Sequence, residues 1–224
     1  MSPVPPIEAV AFDLDGLMFN TEDLYDLVLE ALLAQRGHAF SLELKLRMMG
    51  LPGLQAIDVM REEKDLSESP QQLLDEVYRR MLELLPQRLA TLPGLESLLD
   101  LLEQLEIPRS IATSSTPAFA RACLDQSGLG DHFRFVLTTE DVERGKPYPD
   151  IYLESARRHA VAAERMLVLE DSLTGSRAAV AAGTWTVAVP GRHSRDVPFD
   201  HVNLVVDSLE SSRLRSLLES NPAG

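Results

Sequence analysis

The chain has 224 residues, 45% of them hydrophobic and 25% charged, enough apolar content to bury a core and too much to stay disordered. Its 35 acidic and 21 basic residues leave a formal net charge of −14, which repels nucleic-acid backbones and anionic membranes at long range and argues against both as partners. One cysteine, Cys123, excludes an intrachain disulfide and a cysteine-built metal site. No run nears the ~20 apolar residues of a membrane span and no basic-then-apolar leader opens the chain, so a reducing, cytoplasmic setting is expected.

In chain order, Ile7–Phe12 is a short apolar run ending in acidic residues and a glycine, which predicts a buried strand running into a loop. From Thr21 to Arg36, Leu24, Leu27, Val28, Ala31 and Leu32 recur at helical spacing and Gly37 supplies the stop. Further helices are predicted over Leu42–Met49, Leu54–Arg61 and Pro70–Leu85, with no convincing strand between Thr21 and Leu89. After Pro93-Gly94 the pattern alternates. Helices are predicted over Leu95–Leu105, Pro117–Gln126, Asp150–His159 and Thr174–Ala182. The predicted strands are Arg109–Thr113, Arg134–Leu137, Met166–Leu169 and Thr184–Val189, with Asn203–Val206 a further candidate. Met1–Pro6 and Ser220–Gly224 offer little to pack. Trp185 is expected in the core and Pro190–Asp200, with Arg192, His193 and Arg195, as mobile surface.

Strands alternating with helices imply right-handed crossovers and a parallel sheet covered on both faces, with ligands beyond the carboxyl ends of the strands. The expected fold is therefore α/β, a Rossmann-like core of residues 1–19 and 90–224 with an all-helical insertion, residues 20–89, after the first strand. Hinges are expected near Gly16–Asn20 and Ala90–Gly94.

Four elements fall at predicted strand ends or the turns beside them. Asp13-Leu14-Asp15-Gly16 puts two carboxylates near one point, with a glycine that lets the backbone turn closely. Thr113-Ser114-Ser115 offers hydroxyls and successive N–H groups before a helix, a phosphate cradle or simply a helix cap. Gly145-Lys146-Pro147 fixes a lysine in a turn. Glu170-Asp171-Ser172 ends an apolar strand with oxygen ligands of the kind Mg²⁺ takes, though acids also favour a helix N-terminus on their own account. Each signal is weak alone. Gathered on one sheet edge, three or four carboxylates would repel by roughly 4 kcal/mol per pair at 4 Å and an effective dielectric of ~20. Such a cluster requires a divalent cation, a lysine or bound protons. Mg²⁺ and Lys146 would neutralise it and let an acidic protein attract a phosphorylated substrate.

These residues resemble the four ordered motifs of the haloacid dehalogenase-like hydrolases: Phe12-Asp13-Leu14-Asp15-Gly16, Thr113-Ser114, Gly145-Lys146-Pro147 and Glu170-Asp171-Ser172. The resemblance spans essentially the whole chain, the helical insertion being the family's cap. With Leu17, Thr21-Glu22 and Tyr25 it looks most like the branch holding pseudouridine monophosphate phosphatase and β-phosphoglucomutase. It implies that Asp13 is the nucleophile forming an aspartyl-phosphate and Asp15 the general acid, then base. Thr113, Ser114 and Lys146 would bind the phosphoryl group, with the backbone N–H of Leu14 or Ser114 assisting. Asp13, the carbonyl of Asp15 and Asp171 would hold Mg²⁺, with Glu170 as a further ligand or just behind. A small phosphorylated metabolite is the implied partner, and a monomer is expected.

Two departures stand out. Asn20 replaces an Asp usual in the branch, which suggests a lost charged contact near the hinge, and Tyr25 stands where the sugar phosphomutases carry a cap histidine. His38, His132, His159, His193 and His201 lie outside the motifs and are expected at the surface or in loops. Met48–Gly53 is read as an interhelix turn that could instead face substrate. Hydrolysis is therefore favoured over a phosphosugar mutase and over an idle phosphate-binding scaffold. A dehalogenase is disfavoured, because alkyl-halide displacement has no use for the acid Asp15.

Overall fold

The computed structural model describes residues 5–49, 51 and 53–220. The chain divides into two compact units, one formed by the segment up to Asn20 and from Ala90 onward, the other by Thr21–Leu89.

The second unit is helical: α1 (Thr21–Ala34), α2 (Leu42–Met48), α3 (Gly53–Glu63) and α4 (Pro70–Arg88). Its core follows from spacing. Leu73, Val77, Met81 and Leu85 lie one turn apart on a single stripe of α4, and Leu24, Val28 and Leu32 do the same on α1. Ser69 starts α4 with a capping box, its hydroxyl accepting from Gln72 N–H while the Gln72 side chain accepts from Ser69 N–H. The helix runs past the expected Leu85 and includes Pro86, whose missing N–H falls in the last turn; Leu89 N–H still reaches the Leu85 carbonyl at 3.0 Å. Arg36 bridges Glu68 and Glu76 at 2.7 Å each, tying the end of the first helical segment to α4. Of the turn predicted over Met48–Gly53, Gly50 and Pro52 lie outside the described residues.

The first unit is built on a parallel sheet of six strands: β1 (Ala9–Phe12), β2 (Arg109–Ala112), β3 (Val136–Leu137), β4 (Met166–Glu170), β5 (Trp185–Ala188) and β6 (Leu204–Val205). The order is β3-β2-β1-β4-β5-β6. The chain builds outward from β1 on one side, then returns to build outward on the other, so β1 and β4 flank the topological switch point where such sheets open a crevice. β1, β2 and β4 are buried along their whole length, as a sheet covered on both faces requires. Its helices are α5 (Leu95–Gln104), α6 (Pro117–Ser127), α7 (Asp150–His159), α8 (Leu173–Ala181) and α9 (Ser212–Glu219). On one face, small side chains of the strands (Ala9, Ala11, Ala112) and of α8 (Ala178, Ala179) share a cluster with Ile151, Tyr152 and Ala156 of α7. Small residues let the helix backbones lie close to the sheet.

Except for β4, which runs one residue past the expected Leu169 because Glu170 pairs with Ala188, the observed strands are shorter than the apolar runs suggested, because only the residues with a parallel neighbour complete the ladder. α9 has no counterpart among the predicted elements: Leu214 and Leu218, one turn apart, are its buried residues, with Leu217 half-buried beside them among arginine, serine and glutamate. Trp185 is half-buried rather than core. Within Pro190–Asp200, Ser194 and Phe199 are buried. His159 is also buried, packed against Phe135 with ring centroids 4.7 Å apart, because the helical period of α7 turns it inward. Among the described residues no helix is long and apolar enough to cross a membrane.

Candidate active site

Three strand ends converge. Asp13 follows β1 directly, Thr113 follows β2, and Glu170 closes β4 with Asp171 next in the chain. Asp13 N–H donates to the Leu169 carbonyl at 3.0 Å, which carries the β1–β4 ladder one residue past the strand and fixes where the Asp13 side chain starts. Asp13, Lys146, Glu170 and Asp171 are all buried.

Lys146 comes from the turn before α7. Tyr148 N–H closes that turn on the Gly145 carbonyl at 3.0 Å, the Lys146–Pro147 peptide is cis, and Arg144 grips Asp150 with two hydrogen bonds of 3.1 and 3.0 Å. The ammonium has three protons and three acceptors: Asp13 Oδ1 at 2.5 Å, Glu170 Oε1 at 2.7 Å and the Ala112 carbonyl at 2.9 Å. Burial works against the cation, but Asp13 and Glu170 prevail and hold it well above the ordinary lysine range, so Lys146 is a fixed positive charge.

The carboxylate of Glu170 is fully occupied. Oε1 accepts from Lys146 and from the Tyr152 hydroxyl at 2.7 Å, while Oε2 accepts from Ser172 Oγ at 2.9 Å and Ser172 N–H at 3.2 Å. Ser172 serves twice, since its hydroxyl also accepts from Gly175 N–H at 3.0 Å and so caps α8. Room for this arrangement exists only because residue 175 is glycine: a Cβ there would lie 1.7 Å from Glu170 Oε1.

Asp13, Glu170 and Asp171 each offer a carboxylate oxygen within 4.8 Å of the others, a donor set able to hold a divalent cation. Burial, then the charges of Glu170 and Asp15, push the Asp13 carboxyl well above its usual range, with Lys146 pulling the other way. With both Glu170 oxygens saturated, Asp13 and Asp171 are the better placed to touch an ion, and Glu170 stands behind them holding Lys146.

Asp15 lies outside this trio. Its Oδ2 accepts from Ser115 Oγ at 2.7 Å and from Thr113 Oγ1 at 3.1 Å, while its Oδ1 is buried without a hydrogen-bond partner. Thr113 N–H pairs with the Leu137 carbonyl at 2.9 Å, and Thr113 Oγ1 accepts from Ser115 N–H at 2.9 Å. Of the three hydroxyl residues after β2, the two buried ones therefore face Asp15, and Ser114 is exposed. Thr116, one residue further on, is the N-cap of α6.

Sequence reasoning missed two members of this arrangement. The sequence offers Ser115 with its neighbours only as a cradle or a helix cap, and the ST-turn at Thr113 reveals which of the two serines points inward. Tyr152 carried no motif signal; its place two residues into α7, just after the Lys146 turn, was the one available clue. Asn20 is tied to Ala90 by an uncharged pair: its Oδ1 accepts from Ala90 N–H at 2.8 Å while Asn20 N–H donates to the Ala90 carbonyl at 3.1 Å.

An all-parallel sheet whose switch point carries buried carboxylates and a lysine defines an α/β enzyme with its chemistry on that edge. The chain belongs to the haloacid dehalogenase-like hydrolase family, whose model matches residues 10–189. It is 29% identical over 177 residues to the phosphorylated carbohydrates phosphatase of Thermotoga maritima, covering 79% of this chain and 82% of that protein. It is 34% identical over 192 residues to (DL)-glycerol-3-phosphatase 2 of Arabidopsis thaliana, covering 82% and 80%. Among solved structures, CbbY from Rhodobacter sphaeroides in complex with phosphate superposes with a TM-score of 0.82 at 26% identity, over 91% of this chain and 95% of that one.

Proposed function

We propose that this chain is a Mg²⁺-dependent phosphatase that releases phosphate from a small phosphorylated metabolite, a sugar phosphate, polyol phosphate or nucleoside monophosphate, through an aspartyl-phosphate at Asp13. The observation that carries the reading is the division of labour between two carboxylates two residues apart. Asp13 is buried against a lysine inside an acidic trio, and Asp15 stands outside it with one oxygen unpartnered. A nucleophile and an acid–base group need these different surroundings.

In the first step an Asp13 carboxylate oxygen bonds to phosphorus as the bond from phosphorus to the leaving oxygen breaks, and Asp15 gives its proton to that oxygen. In the second, water attacks phosphorus, Asp15 takes the water proton, and the Asp13–phosphorus bond breaks to release phosphate. Lys146 orients Asp13 and keeps positive charge beside the transferring group throughout. Asp13 and Asp171, with Glu170 behind, would hold the ion, which would supply charge neutralisation for the phosphoryl oxygens. Choice of leaving group is assigned to the helical unit Thr21–Leu89, acting as the cap.

The test is a screen of glycerol phosphate, pentose and hexose phosphates, nucleoside monophosphates and p-nitrophenyl phosphate, with and without Mg²⁺. Expected are Mg²⁺-dependent release of inorganic phosphate and its abolition in Asp13→Asn. Turnover retained by that variant refutes the nucleophile, and phosphoryl transfer to a second sugar without net phosphate release refutes hydrolysis.

A further inference from the structure

We propose that Ser115 is the positioning residue that holds Asp15 ready for proton transfer, a role resting on the acid–base function of Asp15 given above. The argument begins with how the two oxygens of Asp15 are treated. Oδ2 is pinned by two hydroxyl donors, Ser115 at 2.7 Å and Thr113 at 3.1 Å. Oδ1 is buried and accepts nothing. A carboxyl group fixed through one oxygen and open at the other presents a single site for a proton, with its plane set by the donors behind it.

The donors are themselves fixed. Thr113 is fully buried, its N–H tied to the Leu137 carbonyl, and its hydroxyl oxygen accepts the Ser115 N–H, so its own proton is directed at Asp15. Ser115 is buried as well, whereas Ser114 between them is exposed. The Ser115 contact is the shorter of the two. Directly after Asp15, Gly16 turns the backbone at φ 72°. Removal of the Ser115 hydroxyl leaves one longer bond on Oδ2, and the carboxyl can rotate about it.

The chemical consequence depends on the leaving group. When the phosphorus–oxygen bond of an alkyl phosphate breaks, the departing alkoxide needs the Asp15 proton; p-nitrophenolate leaves without one. The ratio kcat/KM covers the steps up to release of the leaving group, so it isolates this proton transfer from the later attack of water.

The experiment compares kcat/KM of the whole protein with Mg²⁺ on glycerol phosphate and on p-nitrophenyl phosphate, for wild type, Ser115→Ala, Ser115→Thr and Asp15→Asn. Ser115→Ala is expected to lose about 10- to 100-fold on glycerol phosphate, a fraction of what a general acid supplies, and less than about threefold on p-nitrophenyl phosphate. Ser115→Thr, which restores a hydroxyl, should recover most of the loss. Asp15→Asn should show the same selectivity in stronger form. Equal losses on both substrates in Ser115→Ala, or no rescue by Ser115→Thr, overturn the positioning role while leaving Asp15 as the acid. Equal losses on both substrates in Asp15→Asn overturn the acid–base assignment and this proposal with it.

Discussion

Gly175→Ala is the perturbation for which the structure makes the sharpest demand. Residue 175 sits in the first turn of α8, where alanine is ordinarily preferred over glycine by about 1 kcal/mol. Here the new methyl would lie 1.7 Å from Glu170 Oε1, 2.1 Å from its carboxyl carbon and 2.4 Å from Oε2, against a floor of 3.0 Å for real contacts. The carboxylate must move by more than an ångström, and it cannot swing away freely because Lys146, Tyr152 and Ser172 hold it with four hydrogen bonds. Disrupting a buried charge in such a network costs about 3–5 kcal/mol, so the net destabilisation should be about 2–4 kcal/mol after the helix gain. For a chain of this length that lowers Tm by roughly 5–15 °C. The assay is thermal and urea unfolding of four proteins: wild type, Gly175→Ala, Glu170→Ala and the double variant. With the Glu170 side chain gone the clash disappears, so Gly175→Ala in that background should be neutral or stabilising by up to about 1 kcal/mol. Additive effects, with a coupling below about 0.5 kcal/mol, would refute the claim that the Glu170 carboxylate is what makes glycine necessary.

Two further outcomes concern protons. Burial, with Arg134 adding to it, pushes the His159 imidazole down to about 4 from 6.5. The unfolded chain then binds the extra proton between those values, so stability is intact above about pH 6.5 and declines as pH falls toward 4, by up to about 3 kcal/mol. Both ring nitrogens lack a partner, so His159→Leu should flatten that decline at little cost near pH 7; parallel stability curves for the two proteins contradict it. The Asp13 carboxyl is raised by its burial, so its contribution runs the opposite way: present below the ordinary carboxylate range and lost as pH rises through the raised value. A cation takes the place of that proton, so MgCl₂ should raise Tm more at pH 8 than at pH 5.5. The gain should be about 2.7 kcal/mol at a hundredfold excess over Kd, and Asp171→Asn should lose most of it. An unchanged Mg²⁺ response in Asp171→Asn would remove Asp171 from the ion site.

The amino-acid order by itself determined the class of fold, because buried parallel strands read as apolar runs and their crossover helices read as periodic stripes ended by glycine. It also determined that Asp13, Thr113 and Glu170-Asp171 share an edge, since all parallel strands present their carboxyl ends together. Only tertiary structure decided what each group does there. Whether Thr113 faces a phosphoryl group or Asp15, which of Ser114 and Ser115 turns inward, and that Glu170 is saturated by Lys146, Tyr152 and Ser172 all depend on side-chain directions over a few ångströms. α9 and the inward His159 escaped for a related reason. α9 is only eight residues long, too brief for the spacing of Leu214, Leu217 and Leu218 to mark a helix in sequence, and a histidine's burial depends on which turn of α7 meets the sheet unit's core. Periodicity records which face of an element is buried; hydrogen-bond direction between elements far apart in the chain is set only when they pack.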